Sequence, residues 1–82
     1  MRRSKQEIIA QILEVCLDSA SKTTIVYQVN LNFRTINPYL DILIKNNLIE
    51  VSKGKQTLYK TTQKGANLIE TIKKVNESLS KD

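Results

Sequence analysis

Residues 32–50 read NFRTINPYLDILIKNNLIE, and the fold turns on whether they form one helix or two. Proline at position 38 removes a backbone donor and clashes with the carbonyl four residues back. One reading starts a short helix at Asn37, with Pro38 at its first position, where proline is favoured. The other starts at Asn32, a good N-cap, and carries Pro38 in the second turn. Apolar spacing decides between them. Phe33, Ile36, Leu40, Leu43 and Ile44 share one face, with Tyr39 at its edge, only if a single helix spans 33–46. That reading is adopted, with a kink expected near residues 34–38. Arg34, Pro38, Asp41 and Lys45 then point away from the core, flanked by Thr35 and Asn37. The helix should stop at Asn46 and Asn47, since asparagine tolerates the left-handed conformation that ends helices.

Upstream, Ser4-Lys5-Gln6-Glu7 is a capping box that opens a helix over 4–17. Its apolar residues, from Ile8 to Leu17, span roughly 200° of the helical wheel, where a surface helix needs about 100°. This helix should therefore be covered on two sides, once by its own domain and once by something else. A polar turn at 19–22 leads to a second helix over 23–29, which buries Ile25, Val26 and Val29. Tyr27 and Tyr39 are suited to contact DNA sugars, but core packing is expected for both. Downstream, residues 48–61 hold two β-prone runs around a glycine-containing loop, SKGKQ, and predict a hairpin. Thr62 caps a final helix over 63–80. There Leu68, Ile72, Val75 and Leu79 are spaced four, three, four, which is a heptad seam. Ile69 and Asn76 flank it, and Asn76 is placed to fix register.

The 82 residues therefore form one domain, α+β and mainly α: three helices, a hairpin and a last helix. That order is the winged helix-turn-helix arrangement. So short a chain buries only about 60% of its unfolded surface, which makes self-association a natural supplement. With no histidine and one cysteine, histidine acid–base chemistry and multi-cysteine zinc sites are excluded. There is no phosphate-binding G-x-x-x-x-G-K loop either, so no enzyme, cofactor or small-molecule substrate is expected. The N-terminus lacks the apolar core of a signal peptide and no run is long enough to span a membrane, so a cytoplasmic, nucleoid location is expected.

The formal charge is +5 and the pI about 9.5. Its distribution says more than its size. Residues 53–64 hold four lysines and no acid, and Lys53 and Lys55 sit at the hairpin tip. Arg2, Arg3 and Lys5 form a second basic group. Arg34, Thr35 and Asn37 are donors suited to base edges or phosphates on the third helix. Lys22, Thr23 and Thr24 open the second helix, where backbone amides grip phosphates. With Lys45, these residues make up the expected interface with double-stranded DNA. The expected homodimer interface is Leu68, Ile69, Ile72, Val75, Asn76 and Leu79. The rival reading is a winged helix used for protein–protein contacts in a transcription complex, with exposed Ile42 as its seed.

Four stretches carry a family resemblance: RRSKQEIIAQILEVC, KTTIVYQVNLNF, YLDILIKNNLIE and YKTTQKGANLIETIKK. Together, in this order, they resemble the small archaeal winged-helix DNA-binding proteins described as chromatin-associated or as regulators. Thr62-x-x-Gly65-x-x-Leu68 is similar to the junction from wing to last helix in such regulators. The resemblance implies a homodimer joined through its C-terminal helices, with two winged-helix heads. Departures stand out: relatives in the family often have a longer final helix, which implies a smaller dimer contact here, Asn47 occupies a position where many winged helices have glycine, and Pro38 is unusual.

Overall fold

In the computed structural model of the chain, residues 3–80 are described, without the side chains of Asn76, Ser78, Leu79 and Ser80. Helix α1 spans Lys5–Val15 and opens on the expected capping box: the Ser4 hydroxyl accepts the Glu7 N–H, and the Glu7 carboxylate accepts the Ser4 N–H. It ends earlier than the apolar run suggests. A single 3-10 turn, Cys16–Asp18, follows, and Ser19 takes φ 65°. That reversal lets Ala20 pair with Tyr59 through two backbone hydrogen bonds of 2.8 and 2.9 Å. The segment expected to be only a turn thus adds an isolated bridge to the edge of the two-stranded sheet. Leu17, counted in the apolar arc, is left exposed.

Helix α2, Lys22–Val29, is capped by Ser21, whose hydroxyl accepts the Thr24 N–H, and ends on Asn30 in the left-handed region. Helix α3, Phe33–Lys45, is capped by Asn32, whose side chain accepts the Thr35 N–H at 2.8 Å. Pro38 lies inside it. Ile36, Leu40 and Leu43 on its inner face are essentially fully buried. Each such side chain stabilises by roughly 1.5–3 kcal/mol, and together they outweigh the ~3 kcal/mol a helical proline costs. Only the cap, Asn32, has extended backbone.

The end of α3 is a Schellman motif. The Leu48 N–H reaches the Leu43 carbonyl at 2.8 Å and the Asn47 N–H reaches Ile44 at 3.0 Å. Asn47 makes this possible by adopting φ 62°. Strands β1 (Ile49–Lys53) and β2 (Thr57–Thr61) pair antiparallel, with Val51 opposite Tyr59. Helix α4, Gln63–Ser80, leaves the sheet at Thr62, whose hydroxyl accepts the Gly65 N–H and donates to the Asn47 carbonyl at 2.7 Å. Gly65 is required at this junction. A Cβ there would collide with the Leu48 carbonyl oxygen and sit 2.6 Å from Thr61 Cγ2.

Helix α1 is covered on two sides, but the second cover, expected from outside the domain, comes from the same chain: α2 and α4 both pack against it. Ile69 and Ile72 of α4 consequently join the core, at 5% and 6% exposure. The monomer core already uses these two residues of the expected seam. Leu68 is half-buried against the core, and Val75, further along, remains 43% exposed. Asn76 and Leu79 lie outside the described side chains. The molecule measures 48 × 27 × 19 Å. No helix among the described residues is long and apolar enough to cross a membrane.

Candidate nucleic-acid interface

The outward face of α3 is polar and its two halves differ in charge. Arg34, Thr35, Asn37 and Pro38 in the N-terminal half are all exposed. Asp41 and Lys45 follow on the same side, one and two turns beyond Pro38, and both are exposed as well. A carboxylate at Asp41 opposes a phosphate backbone, so the donor surface is confined to Arg34, Thr35 and Asn37. Lys45 stands beyond that carboxylate, one helical turn away.

Helix α3 packs against β1, and the hairpin that β1 opens carries Lys53 and Lys55 at its tip. Both lysines are exposed, and nothing lies within 4 Å of where a Gly54 side chain would begin. The tip is therefore open to a large partner. The lysines of this segment do not act alike. Lys64 turns back, and its ammonium donates to the Asn46 carbonyl at 3.1 Å, compensating the negative end of α3.

Thr23 and Thr24 are exposed at the start of α2, and Lys22 is half-buried. The Thr24 hydroxyl shares a 3.1 Å hydrogen bond with Ser21. Arg3 requires a different reading. Its Nη1 donates to the Val29 carbonyl and to Gln11 Oε1, both at 2.6 Å, tying the N-terminus to α1 and to the end of α2. Its guanidinium is a strut between helices, because the last carbonyls of α2 supply an acceptor that the sequence did not reveal. Arg2 lies outside the described residues.

Two aromatic residues depart from expectation. Tyr27, expected in the core, is 86% exposed. The helical wheel could have shown this, since Tyr27 falls opposite Ile25 and Val29, both buried. Phe33, expected on the inner face of α3, is 48% exposed. It is the first residue of the helix and lines a shallow groove with residues of α2. Tyr39 is half-buried against the core.

The sequence matches the winged helix-turn-helix family model over residues 2–80. The chain belongs to that family. Among curated relatives, it is 31% identical over 80 residues to an uncharacterized protein of Methanocaldococcus jannaschii, covering 96% of this chain and 79% of that one. A second uncharacterized protein of the same organism is 36% identical over 76 residues, which are 92% of this chain but only 35% of that protein. The winged helix also superposes on the crystal structure of Sso10a-2, a DNA-binding protein from Sulfolobus solfataricus. The TM-score is 0.83 at 29% identity, covering 95% of this chain and 86% of that one. The fold expected from the order of elements is the fold found.

Proposed function

We propose that this winged helix binds double-stranded DNA, as a transcriptional regulator or a nucleoid component. The N-terminal half of α3 enters the major groove, and the Lys53–Lys55 wing rests on the phosphate backbone. One observation carries the reading: the acid-free donor face of Arg34, Thr35 and Asn37 stands exposed on α3, in a fold shared with a DNA-binding protein. Thr23 and Thr24 add backbone contacts from the start of α2, with Lys22 beside them. Pro38 within the reading half favours recognition of shape and backbone over a strict base code.

The protein acts as a homodimer in this account. Exposed Val75, with the last turns of α4, forms the contact, since the seam residues nearer the sheet are spent on the core. Ile42, at 56% exposure, supports a second reading as a protein-interaction module. Titrating labelled duplex DNA at several salt concentrations separates the two, because only the DNA reading predicts salt-dependent binding. Replacing Lys53 and Lys55 together with glutamate should weaken binding to all sequences alike. A change in sequence preference alone would contradict the role of the wing.

A further inference from the structure

Tyr27 has no structural employment. A phenol ring 86% exposed on a helix contributes almost no burial, and the helical fold would tolerate any polar residue there. It is not isolated. Tyr27 and Phe33 line one shallow groove of about 490 Å3 between α2 and the start of α3, with Thr23, Thr24, Val26 and Gln28 as the remaining walls. Two aromatic rings thus meet hydroxyl and amide groups at the edge of the donor face.

Charge narrows what can occupy this groove. From Lys22 through Leu40 the sequence holds no aspartate or glutamate, while the cations Lys22 and Arg34 are the chain neighbours of the lining residues Thr23 and Phe33. An aromatic surface bordered by cations and hydroxyls, without carboxylates, matches a nucleotide: the rings take the base, and the cations take its phosphates. A base within a duplex cannot present its face, since both faces are stacked. The groove therefore suits a base that has left the stack.

We propose that Tyr27 and Phe33 form a stacking site for unpaired bases, giving the protein a preference for DNA whose duplex is locally open. This rests on the DNA-binding reading above and adds to it a ligand class that neither α3 nor the wing would select. Because base–aromatic stacking is worth roughly 1–3 kcal/mol per base, the preference should be about tenfold for one stacked base.

The test compares a labelled duplex with the same duplex carrying a short central mismatched bubble, the latter with 2-aminopurine in the open segment. The native protein should bind the bubble about tenfold more tightly and change the 2-aminopurine emission. Tyr27→Leu and Phe33→Leu should abolish both effects with duplex affinity intact, whereas Tyr27→Phe should keep both. Equal affinity for duplex and bubble would overturn the stacking site and leave duplex binding standing. A bubble preference that survives both leucine variants would overturn it too, by assigning the preference to flexibility of the DNA. Binding to neither probe would remove this proposal and the DNA reading together.

Discussion

The hydroxyl of Thr61 donates to the main-chain carbonyl of Leu13 at 2.6 Å, joining the last residue of the wing to α1 across 48 positions of sequence. Among the described residues Thr61 is the buried polar side chain of the core, and Leu13 is fully buried. Valine has nearly the same shape but no donor. Thr61→Val should therefore lower stability by about 1–3 kcal/mol, the cost of stranding a buried acceptor. Urea unfolding monitored by circular dichroism reads this directly. An unchanged midpoint would mean that the Leu13 carbonyl finds another donor.

Asn47 holds the left-handed position of the turn between α3 and the wing. Residues with a Cβ and no local hydrogen-bonding side chain lose roughly 1–2 kcal/mol there, and glycine loses nothing to sterics. Asn47→Ala should lower the unfolding midpoint, and Asn47→Gly should match or exceed the native protein. Equal stability of all three would contradict the assigned backbone conformation.

Pro38 is tolerated by α3 because the inner face outweighs it. Restoring an N–H opposite the Arg34 carbonyl should stabilise the helix, less a smaller gain in unfolded-chain entropy. Pro38→Ala is expected to raise stability by about 2 kcal/mol in the same unfolding assay. A loss of stability would show that the native α3 depends on the ring.

Cys16 is fully buried, and burial pushes its thiol up to about 12 from 9.0. The neutral thiol is thus favoured by folding. Its contribution is fully present below the unfolded value and is lost as pH rises through the folded one. Near pH 8 the native protein should resist thiol reagents that label the urea-unfolded chain at once. Above about pH 9 it should lose stability faster than Cys16→Ala. Rapid labelling of the native chain would contradict the burial.

What could be read from the sequence had strong local causes. The capping box at Ser4, the cap at Asn32, the stop at Asn47 and the inner face of α3 each follow from a few neighbouring residues. The rest depends on contacts distant in sequence. Ala20 has no strand signature, and pairs with Tyr59 only because Ser19 reverses the chain. Ile69 and Ile72 have the spacing of a seam in either a monomer or a dimer, and only packing on α1 assigns them to the monomer. Arg3 reads as a free cation until the end of α2 arrives beside it. Tyr27 was legible, since the wheel already places it outside.

The measurement closest to the central claim is a salt titration of binding to duplex DNA by fluorescence anisotropy. If the two heads of a dimer neutralise about seven phosphates, log K should fall linearly with log salt at a slope near about −6. Charge reversal at Lys53 and Lys55 should make that slope shallower for every sequence. A slope near zero, or no binding at the lowest salt, would contradict DNA binding by this winged helix.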